Sequence, residues 1–385
     1  MKIVIIGNGV AGVSAAETVR AADKNCAIQI ISDEPEAYYS RPRLVEFLAG
    51  KSTTEQITIH PQAWYESHAI ELVSRTRAVS IDIPAKRVTD SSGRAYDFDR
   101  LVLAAGALCK VPPIPGEGLE NVFTMRTIAD TMAIKQAASV AKQAVVIGGG
   151  LQGIETAFSL QTLGVETVVI ELSDRLLPQQ LDEEGSLMIR AHLEAKNLRF
   201  ITGQRIQTIT RENRSLAVQL QGHGAITADC IVFSTGIRPN LSLVVGTPVN
   251  CHRGVIVDSF MRTSVEGIYA CGDCAEWNGT VYGLWPAARE QGIVAGNHII
   301  GKETPYQGTV AATRLRVAGV EVASIGEISG KDAVIADRSK DDGAGTYRKI
   351  FTRDGKIIGA ILVGNVKETV KLQQMVKAGE KYRGS

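Results

Sequence analysis

Long apolar runs are absent from this chain of 385 residues. None approaches the ~18 residues that a membrane-crossing helix needs, so no membrane association is expected. Neither sign of charge is in excess. The 42 Lys and Arg stand against 41 Asp and Glu, a net charge of +1. Nucleic-acid partners call for a basic excess, and there is none. Histidine is scarce, and the tail after residue 302 holds neither histidine nor cysteine. That excludes a histidine acid/base or a thiol from the tail. The six cysteines are too few for a disulfide framework in a chain this long and read as free thiols. Only Cys271 and Cys274 stand close together. Without a second Cys or His pair they make no zinc site, so no metal is expected. A sequence that is 44% apolar and 22% charged has ample material for large cores, in two or three domains. The opening MKIVIIGNGVAG resembles a short signal peptide, but its glycines serve the motif described next, so the expected location is the cytoplasm.

What is present is glycine in two matching places. Gly7-Asn8-Gly9-Val10-Ala11-Gly12 follows the apolar KIVII, and Gly148-Gly149-Gly150-Leu151-Gln152-Gly153 follows AVVI. In such a turn the first glycine permits a tight bend. The second lets the backbone approach a pyrophosphate, and the third packs helix on strand. The helix start offers free N–H groups and the positive end of its dipole. One such motif is weak evidence. Two, each with strand before, helix after and an acid 20 to 30 positions on, predict two dinucleotide sites. The ribose-binding acid is Asp33 or Glu34 in the first unit and Glu171 in the second. A carboxylate at Glu171 bonds a free 2′-hydroxyl and repels a 2′-phosphate, which favours NADH over NADPH. Arg175 follows that carboxylate without replacing it. A protein with two dinucleotide sites passes electrons between them, so a flavin oxidoreductase fed by a nicotinamide is expected.

The order along the chain repeats. Strand 2–6, helix 11–22, strand 27–32 and strand 101–104 make the first unit, with a small antiparallel insert near 72–90. Pro35 and Pro42 argue against continuous helix between them. The proline-rich Lys110–Gly118 reads as a crossover linker. Strand 144–147, helix 153–163, strand 167–170 and strand 231–233 repeat the pattern. The tail reads as strands and turns closing on a helix from about Val366 to Ala378. The expected fold is α/β, with two Rossmann-like dinucleotide-binding domains and a small C-terminal α+β domain. The expected boundaries are 1–112 with 230–303 for FAD, 113–229 for NAD and 304–385 for the C-terminal interface domain.

Further stretches resemble the FAD/NAD(P) oxidoreductases related to glutathione reductase. Leu103-Ala104-Ala105-Gly106 and Ser234-Thr235-Gly236 resemble that family's A-T-G segments. Tyr269-Ala270-Cys271-Gly272-Asp273 resembles its second FAD motif, whose aspartate bonds the ribityl chain. Trp285-Pro286-Ala287-Ala288-Arg289-Glu290-Gln291-Gly292 resembles the helix over the flavin ring. Relatives with a redox disulfide or a single redox thiol carry cysteine in the stretch that here reads Tyr38–Leu44. The Arg41-Pro42 pair instead resembles the rubredoxin and ferredoxin reductase branch, closest to NADH:rubredoxin oxidoreductase, together with the nitrite reductase flavin subunit and apoptosis-inducing factor. Some relatives place a lysine beside the flavin where this chain has Glu46.

The resemblance implies FAD and NADH as cofactors. It implies FAD or NAD contacts at Gly7, Gly9, Val10, Ala11, Gly12, Arg41, Val79, Ala105, Gly106, Lys110, Gly148, Gly150, Leu151, Gln152, Gly153, Gly236, Asp273, Leu284 and Trp285. It places Glu155 toward the flavin–nicotinamide stack, the plain alternative being a first-turn glutamate favoured by the helix dipole. Trp285 stands at the flavin or at a domain interface. Cys271 and Cys274 are read as packing residues. The function implied is electron transfer from NADH through flavin to a small acidic carrier such as rubredoxin, with a homodimer compatible. The alternatives are an NADH oxidase reducing dioxygen, a redox-sensing FAD/NADH protein, or a flavin subunit of a nitrite reductase-like system. Arg41, Arg43, Arg314 and Arg316 are the basic residues for docking a carrier, unless they bind FAD phosphate or sit in surface pairs.

Overall fold

A computed structural model describes residues 1–384, apart from 223 and 331. The chain divides into two compact units. The first comprises Met1–Ser40, Thr54–Leu108 and Ile237–Thr309; the second comprises Arg41–Thr53, Cys109–Gly236 and Val310–Ser385.

The first unit is built on a five-stranded parallel sheet ordered Ile268–Ala270, Arg100–Leu103, Lys2–Ile6, Ala27–Ile31, Ile70–Val73. Its central strands are apolar throughout, as strands covered on both faces must be. Ile3, Val4 and Ile5 are all at or below 1% exposure. The insert is antiparallel, as expected, but runs over Ala78–Asp82, Arg87–Asp90 and Ala95–Asp97. Residues 72 and 73 belong instead to the parallel edge strand, whose pairing to Ala27–Ile31 is non-local and leaves no mark in the local alternation.

Two helices of this unit, Val10–Ala22 and Trp285–Ile299, meet through small residues. A Cβ added at Gly292 would lie 2.3 Å from the Ala11 carbonyl oxygen, and one at Gly296 2.8 Å from that of Ala15. Backbone cannot yield as a flexible side chain can. Gly292→Val is therefore expected to lower stability by at least about 1–3 kcal/mol through overpacking. Thermal unfolding checks this, and an unchanged midpoint would contradict the close helix contact.

The second unit holds a matching five-stranded parallel sheet, ordered Val122–Thr124, Cys230–Phe233, Gln143–Ile147, Glu166–Ile170, Arg199–Ile201. It too carries a three-stranded antiparallel insert, Ile206–Glu212, Ser215–Leu220 and Ala225–Ala228. The glycine-loop helix is Leu151–Thr162, starting two residues before the expected 153, because Gly150 is its N-cap. The tail forms a five-stranded antiparallel sheet and a final helix, Thr369–Ala378. That helix begins after Val366, with Glu368 as its N-cap.

Arg41–Thr53 groups with this second unit, although it lies inside the span assigned from sequence to the first domain. Leu48 is fully buried in a cluster with Met125, Ile154 and Leu160. Leu315, Val317, Tyr347 and Ile361 of the tail join the same cluster, so the tail shares a core with the second parallel sheet. A polar latch adds to it. Asp182 caps the Glu183–Glu194 helix by accepting from Gly185 N–H, and also accepts from Tyr347 OH at 2.7 Å and Lys349 Nζ at 2.6 Å. Burial pushes the Asp182 pKa up, but these donors outweigh it and hold it below the usual value.

Candidate active site

The two glycine loops have the same geometry. Gly7 N–H bonds Ile31 O at 2.9 Å, and Gly148 N–H bonds Ile170 O at 2.8 Å. Both glycines have left-handed φ, +115° and +117°, where a side chain is strained. A Cβ at Gly7 would meet Ala104 O at 2.1 Å, and one at Gly148 would meet Ser234 O at 2.3 Å. Each loop is thereby pressed against the turn that sequence pairs with it, Ala105-Gly106 in one unit and Thr235-Gly236 in the other. Gly12 and Gly153 pack back on their own loops, with a built Cβ 2.1 Å from Gly7 O and 1.9 Å from Gly148 O.

The middle glycines differ. Gly9 and Gly150 have extended backbone and cap their helices without a side chain. A Cβ at either would meet no protein atom within 4 Å. Beside them, Val10 and Ala11 in one unit and Leu151 and Gln152 in the other begin helices whose first N–H groups lack intrahelical partners. Both loops thus offer an open cradle of donors of the kind a pyrophosphate needs, so the residues present fit two dinucleotides.

Around the first cradle stands the Asp273 turn. A Cβ at Gly272 would lie 2.8 Å from Ala11 Cβ. Gly272 N–H donates to Gln291 Oε1 at 2.8 Å, a side chain only 1% exposed. Gln291 therefore orients the turn that presents half-buried Asp273, a role the motif carried without announcing. The acids of this unit lie further out than in its twin. Ser32, not an acid, follows Ile31 at the register where Glu171 follows Ile170. Glu34 is half-buried and accepts from Tyr39 OH at 2.5 Å, whereas Asp33 is exposed and meets Arg77 at 3.3 Å. Val79 lies on the Ala78–Asp82 strand, 49% exposed. Leu284 is the N-cap of the Trp285–Ile299 helix, and Trp285 at its start is 41% exposed.

In the second unit Glu171 is buried and accepts from Gly149 N–H at 2.5 Å and Ser173 N–H at 2.7 Å. A carboxylate has four lone-pair directions, so acceptor capacity remains for a ribose. The 171–177 segment closes around Gly149, with Leu177 N–H bonding Gly149 O at 3.0 Å. Lys110 N–H bonds Gly236 O at 2.9 Å, and Thr235 Oγ1 donates to Lys110 O. Arg41 begins the Arg41–Arg43 turn and donates to Arg126 O at 2.7 Å. Gln152 Nε2 donates to Met125 O at 2.8 Å. The Met125–Arg126 segment is thus held by two residues of the expected site, and nothing in the glycine motifs pointed to it. Glu155 is half-buried on the Leu151–Thr162 helix. Burial first, and the charge of Glu46 second, hold its pKa up to about 7.

All six cysteines are free. Cys271 and Cys274 are fully buried, and Cys274 Sγ donates toward Leu103 O and Cys271 O at 3.3 and 3.4 Å. Burial pushes the Cys274 thiol up to about 11, far from a reactive thiolate. Among the described residues no group of His, Cys, Asp and Glu could hold a metal, and no helix is long and apolar enough to cross a membrane.

Comparison with known proteins agrees with this geometry. Residues 1–292 match the family described as pyridine nucleotide-disulphide oxidoreductase, and residues 312–380 match the rubredoxin NAD+ reductase C-terminal domain. The assimilatory nitrate reductase electron transfer subunit of Bacillus subtilis is 34% identical over 373 residues, covering 96% of this chain and 48% of that protein. The NADH-rubredoxin oxidoreductase of Clostridium acetobutylicum is 29% identical over 382 residues, covering 99% of this chain and 96% of that one. A crystal structure of NADH:rubredoxin oxidoreductase from the same organism superimposes with a TM-score of 0.84 at 28% identity, covering 100% of this chain and 96% of that one. The chain spans about half the length of the Bacillus relatives it matches. By sequence and by fold, the chain belongs to the pyridine nucleotide-disulphide oxidoreductases, a family of FAD- and NAD(P)H-dependent enzymes.

Proposed function

We propose that this chain takes electrons from NADH through FAD and passes them to a small protein electron carrier, with rubredoxin the first candidate. The carrying observation is the pair of open glycine cradles, one in each unit, in a chain whose closely spaced cysteines are buried packing residues. In this reading Gly7, Gly9, Val10, Ala11, Gly12, Glu34, Ala105, Gly106 and Asp273 hold FAD, with Arg41, Val79, Lys110, Leu284 and Trp285 as further contacts. Gly148, Gly150, Leu151, Gln152, Gly153, Glu171 and Gly236 hold NADH. Bound flavin supplies a hydride acceptor that can release electrons singly. The chain's own work is positioning. The helix starts bind the phosphates, Glu171 and Glu34 orient the riboses, and Glu155 stands at the nicotinamide side. The domain boundaries expected from sequence are proposed as part of this reading, with Arg41–Thr53 grouped with the second unit.

The carrier preference rests on the rubredoxin reductase-type tail. Arg314 and Arg316 are exposed and alternate with buried Leu315 and Val317 on the Ala312–Val317 strand. Arg43 is engaged by Glu46, Arg41 by Arg126 O and Arg316 by Glu321 at 3.7 Å, so Arg314 is the better docking candidate. A second reading is electron delivery to a nitrate- or nitrite-reducing partner, favoured by the identity to the Bacillus protein described as an assimilatory nitrate reductase electron transfer subunit.

Anaerobic NADH titration of the purified protein, followed by an acceptor panel, tests both readings. A yellow protein with about one FAD per chain is expected, bleached by NADH and reoxidised by rubredoxin. Added salt should slow carrier reduction, because exposed charges are screened, and should leave flavin reduction by NADH nearly unchanged. FMN in place of FAD, or no flavin after reconstitution, contradicts the core of the reading. Rubredoxin reduction no faster than by free flavin removes only the named carrier.

Cys271→Ser with Cys274→Ser should leave carrier reduction within a few-fold of the parent when FAD content is retained. A collapse with flavin intact would make the pair a working redox couple.

A further inference from the structure

The two glycine loops are tied to their acids by different means. In the second unit one side chain does both jobs. Glu171 accepts from Gly149 N–H at 2.5 Å and is also the acid proposed to meet a ribose. The first unit has no acid at that register, since Ser32 follows Ile31 where Glu171 follows Ile170. Its middle loop residue is Asn8, the counterpart of Gly149, and its proposed acid is Glu34, two residues beyond Ser32. Tyr65 links the two. It is fully buried, and its hydroxyl oxygen accepts from Tyr38 N–H at 3.2 Å. The hydroxyl proton is therefore the one donated to Asn8 Oδ1 at 2.8 Å. The next residue, Tyr39, donates its own hydroxyl to Glu34 at 2.5 Å.

The surroundings hold this tyrosine in place, and all of them belong to the first unit. Tyr38–Tyr39 pairs antiparallel with Thr58–His60, which leads into the short helix Gln62–Ser67 that carries Tyr65. On that helix Trp64 is stacked between His60 and His68, with ring centroids 3.9 and 4.3 Å away, and stands edge-on to Tyr65 at 5.1 Å. His60 Nε2 lies 2.7 Å from Glu17 Oε1 on the Val10–Ala22 helix, the one that the glycine loop itself opens. Burial pushes the Tyr65 phenol up to about 12, so it keeps its proton and remains a donor at neutral pH.

We infer that Tyr65 is a positioning residue for FAD, joining the glycine loop and the ribose acid of the first unit through Asn8 on one side and Tyr38, Tyr39 and Glu34 on the other, and so doing what Glu171 does alone in the second unit. The physical reason is preorganisation. A loop and an acid already locked together lose less freedom when a dinucleotide binds, so affinity rises without a new contact to the ligand. Removing the hydroxyl leaves Tyr38 N–H and Asn8 Oδ1 without their partner and releases the loop from the strand that steadies Glu34. This inference rests on the proposed function, which places FAD at the first cradle.

Rebinding of FAD to the deflavinated full chain, followed by flavin fluorescence, tests this. Tyr65→Phe keeps the buried ring and removes only the hydroxyl. It should weaken FAD at least about 5-fold, as a lost hydrogen bond with its partners left unpaired implies. NADH binding by the second unit is the internal control and should not change. Asn8→Ala, at a half-buried position, cuts the same link from the loop side and serves if Tyr65→Phe fails to fold. Coupling separates positioning from bulk stability. Glu34→Gln should weaken FAD by itself, and Tyr65→Phe should then weaken it by a smaller factor than in the parent, because the two act through one connected set of bonds. A Tyr65→Phe chain with a lower thermal midpoint that still binds FAD like the parent overturns the positioning role. Full additivity of Tyr65→Phe with Glu34→Gln overturns the link to the acid. A parent chain that takes up no FAD defeats the proposed function and this inference with it, and is read before any variant is made.

Discussion

Gly150→Ala should leave the protein folded and FAD-loaded while weakening NADH binding about 5- to 150-fold. Gly9→Ala should in turn yield a folded protein depleted of FAD. Both glycines have extended backbone that alanine adopts without strain. A Cβ at either meets no protein atom within 4 Å, so the methyl projects into the cradle alone. If a pyrophosphate lies there, the methyl opposes it at an overpacking cost of about 1–3 kcal/mol, which converts to the fold-change given. Gly12→Ala and Gly153→Ala should behave differently. Their methyls would collide with Gly7 O and Gly148 O, so stability should fall together with binding. Thermal unfolding, FAD content and NADH titration separate the two patterns. A Gly150→Ala protein that binds NADH like the parent would mean that the nucleotide is not seated on this loop.

Glu171→Ser is expected to narrow the preference for NADH over NADPH by about 1–3 kcal/mol, the cost of a lost hydrogen bond with one partner left unpaired. In rate terms that is about 5- to 150-fold in the ratio of kcat/KM values. Serine also removes the acceptor for Gly149 N–H and Ser173 N–H, so some weakening toward both nucleotides accompanies it. Glu171→Gln is the informative companion. Its amide oxygen keeps an acceptor for the loop while the charge that repels a 2′-phosphate is gone, so NADPH should gain more than NADH loses. Flavin reduction by each nucleotide, followed by stopped flow, reads both variants. A parent enzyme that already prefers NADPH would show that Glu171 does not set the choice.

The sequence by itself determined the repeated strand, glycine turn and helix, because each signal is local. A buried parallel strand needs a continuous apolar run, and Gly7, Gly12, Gly148 and Gly153 stand where backbone or another residue comes too close for a side chain. It also located the segments that surround the cradles, since Ala105-Gly106, Thr235-Gly236 and Asp273 carry motifs of their own. Local pattern is silent on which distant segment covers which. The edge strand Ile70–Val73 reads like the antiparallel insert until its pairing partner is seen. Arg41–Thr53 and the tail share a core with the second sheet because Leu48, Leu315 and Tyr347 are buried together there, a contact between segments hundreds of residues apart. Register placed Ser32 where its twin unit has Glu171, and packing put Gln291 under the Asp273 turn. The state of Glu155 was decided the same way. From the sequence it reads as a first-turn glutamate, whereas it is the fifth residue of the Leu151–Thr162 helix, past its first turn. Only the tertiary structure half-buried it and raised its pKa, because desolvation depends on what the folded chain brings close, not on sequence distance.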